Sequence, residues 1–449
     1  MHRSSSDPRF SPDFIWGVST ASYQIEGSPE AGGRGKSIWD TFCAIPGTVL
    51  DGQSGDIACD SYRRWKDDIA LLRELGVKAY RFSMAWPRIQ PEGSGAPNRA
   101  GLDYYRRLAN GLRDEGIEPW ATLYHWDLPQ ALEDRGGWPV RDTALRFADY
   151  AGLCFRELGD SVANWVTLNE PWCSAFLGYG SGEHAPGRTD RAESYAAAHH
   201  LLLGHGLALG AYRDGGGEGR IGLVLNPALP RAASTRPEDE SAALRASVER
   251  TGLWLDPIYR GTYPVGHLHA RDIVMPIVPG DMETISAPPD FIGVNYYNED
   301  AVQSAAPTSE NPDGFAQVAT WQDKTAMGWD VEPEGLLRIL SFIAGNWPET
   351  DLYITENGAA YEDVPDQDGR IRDSGRIAYL RDHIAAAARA VIAGIPLRGY
   401  FAWTLMDNFE WSHGYSKRFG LVAVDRKTGE RRRKDSFHYY RDVAAGYGR

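Results

Sequence analysis

The chain of 449 residues is short of positive charge: 47 Lys and Arg stand against 61 Asp and Glu, a formal charge of −14, and no basic block offsets it. That disfavours nucleic acid, anionic membrane surfaces and strongly polyanionic substrates as partners. Cysteine is scarce. Cys43, Cys59, Cys154 and Cys173 show neither the paired spacing of a metal site nor the density of a disulfide scaffold. They read as small core residues. No uninterrupted apolar run approaches the roughly 18 residues of a membrane span. Met1 to Arg9 is polar, with no apolar stretch ahead of a small-residue cleavage site, so a cytoplasmic protein is the expectation. No linker rich in Pro, Gly or Ser splits the chain, and no internal repeat is visible.

What the chain does contain is an alternation. Runs at 14–20, 79–86, 118–126, 162–170, 220–226, 291–297, 352–356 and 397–405 read as buried strands ending in polar or aromatic groups. Between them, helical spacing occupies 61–76, 101–116, 142–159, 193–213, 238–260, 334–345 and 374–394, with Gly76, Gly116, Gly159 and Gly394 placed as helix-terminal glycines. Strands alternating with helices pair in parallel, and eight of them favour a closed (β/α)8 TIM barrel. A doubly wound sheet with an appendage is the alternative. Against it, no Gly-x-Gly-x-x-Gly follows the first strand. Residues 1–449 are thus expected to form a single catalytic barrel domain, with 1–12 as a flexible N-terminal tail. The length beyond a typical barrel of ~250 residues falls in loops 27–60 and 298–332. Both follow strand ends and are expected to roof the active face.

Two of the strands end in acids. Asp-Leu-Tyr-Ile-Thr-Glu-Asn-Gly (351–358) is an apolar run that delivers Glu356 to a rim, and Val-Ala-Asn-Trp-Val-Thr-Leu-Asn-Glu-Pro (162–171) ends in Asn169 and Glu170, with Pro171 barring continuation. Barrel strand ends point toward one pocket, so the two acids can face each other. Paired carboxylates carry out a recognised chemistry, in which one, kept protonated, gives a proton to a leaving oxygen while the other, ionised, attacks or stabilises an electron-poor carbon. The 15 Trp and 22 Tyr suit sugar rings, although most such residues belong in the core.

Thr-Leu-Asn-Glu-Pro-Trp (167–172) and Ile-Thr-Glu-Asn-Gly (354–358) resemble the two signature motifs of glycoside hydrolase family 1. The resemblance runs through nearly the whole chain, from Phe14-Ile-Trp-Gly-Val-Ser-Thr-Ala-Ser-Tyr-Gln-Ile-Glu-Gly27 through Tyr80–Trp86, Leu123–Pro129 and Gly293–Tyr297 to Trp403–Trp411 and Arg418–Val422. It implies a (β/α)8 barrel, no metal or cofactor, a small β-glycoside as substrate, and retaining cleavage by two glutamates. Glu170 resembles the acid/base and Glu356 the nucleophile, whose carboxyls in a retaining enzyme lie ~5–5.5 Å apart. Arg81, Asn295 and Tyr297 resemble the groups around the nucleophile, with Arg81 and Tyr297 expected to keep it ionised. Gln24, His125, Asn169, Glu410 and Trp411 resemble the partners of the sugar hydroxyls, and Trp403 the platform beneath the ring. Trp172 and Trp329 match positions on the leaving-group side. Trp16, Trp65, Trp86 and Trp138 read as structural.

Relatives with other activities differ at readable positions. Plant thioglucosidases resemble the family but carry Gln at the acid/base, where this chain has Glu170. The 6-phosphoglycosidases carry Ser where Glu410 stands and a Tyr where Phe419 stands, so a carboxylate facing the sugar's 4- and 6-positions is expected to repel phosphate. Lys417, shared with them, then reads as a solvated rim charge. The resemblance therefore implies a β-glucosidase acting by double displacement. Transglycosylating members share all these residues, and a catalytically silent sugar-binding barrel is the reading from another class.

Overall fold

The computed structural model describes residues 10–308, 311–347 and 350–446. At its centre eight parallel strands close into a barrel: β1 (Ile15–Ser19), β2 (Ala79–Ser83), β3 (Glu118–Tyr124), β4 (Asn164–Asn169), β5 (Arg220–Leu225), β6 (Phe291–Asn295), β7 (Asp351–Asn357) and β8 (Leu397–Trp403). Successive strands are neighbours, and β8 returns to β1 with Ile15 opposite Gly399 and Ser19 opposite Trp403. Each expected strand is present, with ends within three residues of those read from the sequence. The strands are buried along almost their whole length, because helices cover the outside and side chains fill the inside. One residue from every strand builds a single layer of that filling: Ile15, Ala79, Trp120, Val166, Val224, Phe291, Tyr353 and Phe401. Trp120 meets Phe291, Tyr353 and Phe401 with ring centroids 4.9–5.2 Å apart. This plug closes the barrel beneath the strand ends, each of its large side chains contributing ~1.5–3 kcal/mol by burial.

The main outer helices span Ser61–Leu75, Arg99–Asp114, Arg141–Leu158, Arg191–Asp214, Pro333–Asn346, Ser374–Ile392 and Asp435–Ala444. Gly76, Gly116 and Gly394 follow helices with φ of +71°, +73° and +85°, the left-handed conformation that glycine takes without steric cost. Gly159 does not, since its φ of −62° keeps it right-handed. The single helix expected over 238–260 is three pieces: an α-helix at Pro237–Ser247, a π-turn at Val248–Gly252 and an α-helix at Leu253–Arg260.

Of the expected tail, residues 1–9 lie outside the described residues. Phe10 is already packed, its ring 4.4 Å from Phe14 and 5.1 Å from Trp16. The loop after β6 carries two short strands, Ala301–Ser304, which pairs in parallel with Arg231–Ala232, and Phe315–Gln317, which pairs antiparallel with Ala301–Ser304. It lines the active face as expected. The loop after β1 does not, for it contributes no residue to the pocket among the described residues. Its Trp39 instead supports Trp411 from behind, with ring centroids 4.5 Å apart. No helix among the described residues is long and apolar enough to cross a membrane.

Candidate active site

A pocket of about 410 Å³ opens at the carboxyl ends of the strands, lined by His125, Asn169, Glu170, Glu356, Trp403, Glu410 and Trp411 among others. Both acids arrive there through an irregular strand end. The register of β4 against β5 shifts between Val166 and Asn169, and that of β7 against β6 shifts between Ile354 and Glu356. Such bulges re-aim a side chain that a regular pleat would point elsewhere. The backbone is also strained around the pocket. Glu170, Trp126 and Trp411 have φ of +43°, +78° and +48°, values that non-glycine residues hold only where the surroundings impose them. Gly358 follows β7 because a Cβ there would lie 1.8 Å from the Trp403 carbonyl oxygen.

The two acids are held by different kinds of donor. Glu356 Oε1 accepts from Arg81 Nη1 at 2.7 Å, and its Oε2 accepts from the Tyr297 hydroxyl at 2.5 Å. Arg81 is fully buried, so its charge acts through little solvent. Among the described residues the hydrogen-bond partners of Glu170 are neutral: Asn295 Nδ2 donates to Oε1 at 2.7 Å and the Cys173 thiol to Oε2 at 3.1 Å. Asn169 joins the two sets, its Oδ1 accepting from Arg81 Nη2 at 2.6 Å and from Asn295 Nδ2 at 3.1 Å. Asn295 is therefore a correction. Expected beside the nucleophile, it pairs with Glu356 through the backbone where β6 meets β7, while its side chain donates to Glu170. Its Nδ2 is fixed on the Glu170 side because it also donates to Asn169 Oδ1, an oxygen that accepts from Arg81, and Thr355 Oγ1 completes the set by donating to its Oδ1 at 2.7 Å.

Burial raises both carboxyls above the usual carboxylate range, and the charge of Glu170 adds to the rise at Glu356. Glu356 rises to about 7, against the pull of Arg81 and Tyr297. In the open pocket the guanidinium and the phenol thus limit the rise without cancelling it. Of the two carboxyls, Glu356 is the one that accepts a hydrogen bond from a guanidinium among the described residues, a contact that favours its charged form. Burial holds the Tyr297 phenol well above its ordinary value, so it remains a donor.

The remaining sugar-side candidates gather on one wall. The His125 ring lies parallel to Trp403 at 6.0 Å and 21° and to Trp411 at 6.0 Å and 17°. Asn169 Nδ2 lies 3.0 Å from His125 Nε2. Since Asn169 Oδ1 already accepts two donors, that amide nitrogen must donate, which places the imidazole proton on Nδ1. Burial pushes the His125 pKa well below its ordinary value, so the ring is neutral. Its Nδ1 has no hydrogen-bond partner among the described residues, and neither has Gln24 Oε1. Gln24 is fully buried and stands behind the lining, donating to the Phe409 carbonyl at 2.8 Å and to Glu410 Oε2 at 3.4 Å. Glu410 is pushed up to about 8 by burial and by the charges of Glu356 and Glu170. Near neutral pH the open pocket therefore presents it mainly protonated, and the repulsion of phosphate expected from the sequence is incomplete there. Lys417 is likewise not a free rim charge, since its Nζ donates to the Ala326 carbonyl at 2.6 Å.

Trp172 and Trp329 both line the pocket, on different neighbours. Trp329 packs against Tyr297 at 5.6 Å and Phe419 at 6.2 Å. Trp172 stacks on Phe176, lies under the Arg250 guanidinium at 4.6 Å and donates to Glu249 Oε1 at 3.3 Å. Trp16, Trp65, Trp86 and Trp138 are absent from the lining. Several residues of the site escaped the sequence reading. Trp126 donates to the Asn169 carbonyl at 2.9 Å, and its place in Tyr-His-Trp beside a strand end was the available signal. Arg250 comes from the π-turn, which carries no sequence signal. Cys173 is not a plain core residue, and its spacing of three from a strand-end acid was the clue. Among the described residues no group of three or more His, Cys, Asp or Glu could hold a metal ion.

The model of glycosyl hydrolase family 1 matches residues 6–448. The chain is 47% identical over 445 residues to β-glucosidase A of Thermotoga maritima, covering 98% of each chain. It is 46% identical over 445 residues to the 1,4-β-D-glucan glucohydrolase of Thermotoga neapolitana, covering 98% of this chain and 99% of that protein. A solved structure of the Thermotoga maritima family 1 β-glucosidase in complex with isofagomine lactam superposes with a TM-score of 0.94 at 46% identity, covering 98% and 99% of the two chains. With the barrel, the paired acids and these relatives in agreement, the chain belongs to glycosyl hydrolase family 1.

Proposed function

We propose that the protein is a retaining β-glucosidase, releasing terminal non-reducing β-D-glucosyl residues from small β-glucosides. Glu356 attacks the anomeric carbon while Glu170 gives its proton to the leaving oxygen. Water, deprotonated by Glu170, then displaces Glu356 from the sugar and restores both groups. The observation that carries the assignment is the asymmetry of donors. Arg81 and Tyr297 favour charge on Glu356, whereas the amide and thiol on Glu170 leave it the readier to hold a proton. A neutral donor at His125 Nδ1, an acceptor at Gln24 Oε1 and the carboxyl of Glu410 suit hydroxyls, which both donate and accept. We place the protein in the cytoplasm and take residues 1–449 as one catalytic unit.

Azide separates the two roles. Glu356→Ala should lose turnover on every substrate, by about four to six orders of magnitude, and azide in the vacated space should yield the α-glycosyl azide. Glu170→Ala should spare the first step for dinitrophenyl glucosides, whose leaving group needs no proton, and yield the β-azide. The reverse pairing of anomers would exchange the two assignments.

A further inference from the structure

The thiol beside Glu170 is not explained by packing alone. Cys173 opens the π-helix Cys173–Ser181, its backbone N–H donating to the Glu170 carbonyl at 2.9 Å. Its side chain is 6% exposed and lines the pocket. Asn226, just beyond β5, donates from Nδ2 to Cys173 Sγ at 3.3 Å, while its own carbonyl accepts from Arg250 Nη2 at 3.2 Å. The sulfur is thus gripped from a second strand end at the point where it meets Glu170.

We propose that Cys173, steadied by Asn226, is a positioning residue for Glu170, a compliant hydrogen-bond partner that follows the carboxyl through both halves of the reaction. The proposal rests on Glu170 being the acid/base. The two oxygens of Glu170 are not equivalent. Oε1 faces an amide that cannot reverse, because Asn295 Nδ2 also donates to Asn169 Oδ1, an oxygen fixed as an acceptor by Arg81. Oε2 is therefore the oxygen that carries the proton, and Oε2 faces the thiol. A thiol is both a weak donor and a weak acceptor with one rotatable proton. When Glu170 is ionised, S–H donates to Oε2. When Oε2 is protonated, its O–H turns to the leaving oxygen and S–H swings away, with Asn226 still holding the sulfur.

The protons balance without the thiol giving one up. In the first step Oε2–H passes to the glycosidic oxygen as its bond to the anomeric carbon breaks and the bond to Glu356 forms. In the second, a water proton passes to Oε2 as the water oxygen bonds the anomeric carbon and Glu356 leaves. Burial and the neighbouring carboxyl keep the thiol well above its ordinary range, so it remains S–H throughout. A serine hydroxyl, as a stronger donor, would hold Glu170 in its ionised form, and a methyl group would give it nothing. The other charged and titratable groups facing Glu170 are Glu356, Arg81, Arg250, Tyr297 and Glu410. None of them is altered by a change at Cys173.

The test is the pH dependence of kcat/KM on an alkyl glucoside, whose alkaline limb reports loss of the proton from Glu170 in the free enzyme. Cys173→Ser should move that limb down, and Cys173→Ala should move it up, each by about half a unit to one unit. Asn226→Ala, which frees the sulfur without touching Glu170, should move it in the alanine direction by less, and stands in if either cysteine variant fails to fold. Coincident limbs in all the variants, or Ser and Ala shifts of the same sign, would overturn the role of Cys173. The underlying assignment is checked separately. If Glu170→Ala slows alkyl and dinitrophenyl glucosides equally, the acid/base reading itself fails, whatever the cysteine variants do.

Discussion

The pocket has two halves made from different material. The half proposed to receive the transferred sugar is built on strand ends: Arg81 on β2, Asn169 on β4, Asn295 on β6, Glu356 on β7 and Trp403 on β8. The half proposed to receive the leaving group is built on loops and π-turns, with Trp172, Arg250, Gln317 and the segment 226–230 in the lining. The first half is tied by hydrogen bonds that pass from strand to strand, Glu356 to Arg81 to Asn169 to Asn295 to Glu170. The second is held by contacts between loops and π-turns, such as the two hydrogen bonds of Ala228 with the Thr251 hydroxyl and that of Arg250 to the Asn226 carbonyl. Rigid strand ends position groups closely, while loops tolerate change. Chemistry should therefore fail steeply when the first half is altered, and preference should drift when the second is.

The steepest failure is expected at Arg81. Replacing it with methionine leaves Glu356 without its cation and Asn169 Oδ1 without one of its two donors. We expect kcat/KM to fall by roughly 10³-fold, since an unpaired buried carboxyl costs ~3–5 kcal/mol in its charged form. The sign of the pH effect follows from the contacts. Arg81 lowers the pKa of Glu356, which burial has already raised to about 7, so its removal pushes that pKa higher. The acid limb of kcat/KM should move up by about one unit or more. Arg81→Lys keeps the charge and cannot span both partners, so kcat should fall while the limb stays near its place. An unmoved acid limb in Arg81→Met would mean that another group keeps the nucleophile ionised.

The same division explains what the sequence made legible. Eight strand runs could be read because a strand buried on both faces is nearly continuous in apolar residues, and Glu170 and Glu356 could be read because each interrupts such a run at its end. What could not be read is local backbone irregularity. Bulges before both acids, and positive φ at Glu170, Trp126 and Trp411, leave no mark in residue type, because all three are side chains that ordinarily avoid that conformation. Asn295 illustrates the consequence. Its place two residues before Tyr297 put it near Glu356, yet Asn169 Oδ1, fixed as an acceptor by Arg81, holds its amide nitrogen on the side where it donates to Glu170. The loops are still less legible. Loop 27–60 follows a strand end as a roof should, and packs Trp39 behind Trp411 without reaching the pocket.

An intermediate effect is expected at Glu410, which stands on the chain beyond β8 and belongs to the sugar half. Glu410→Ser removes a hydrogen-bonding carboxyl, worth ~1.5–3 kcal/mol against hydroxyls, so kcat/KM on glucosides should fall by about 10- to 100-fold. The preference ratio for 6-phosphorylated over plain glucoside should rise. The gain is small because Lys417 is engaged with the Ala326 carbonyl and Phe419 offers no hydroxyl. Glu410 gains charge only as pH passes about 8. Exclusion of the phosphorylated substrate by the parent should therefore sharpen between about pH 7.5 and 9, where the phosphate is already largely a dianion. That sharpening should vanish in Glu410→Ser. Equal ratios in parent and variant across this range would remove Glu410 as the discriminator.

The smallest effect belongs to the leaving-group half. Trp172 offers a flat, half-buried face, with Phe176 against one part of it and the Arg250 guanidinium at 4.6 Å. An aromatic contact of this kind contributes ~0.5–1.5 kcal/mol, so Trp172→Ala should lower kcat/KM on aryl glucosides by only about 3- to 10-fold. The loss should be confined to the first step. Once the aglycone has departed, the glycosyl-enzyme is the same species whatever it carried before, and Trp172 no longer has a partner. For a dinitrophenyl glucoside, whose turnover is limited by hydrolysis of that intermediate, kcat should stay unchanged while KM rises. For an alkyl glucoside, limited by the first step, kcat should fall instead. A matching fall in kcat on the dinitrophenyl substrate would show that Trp172 acts through its chain neighbour Glu170, and that the two halves of the pocket are not separate in function.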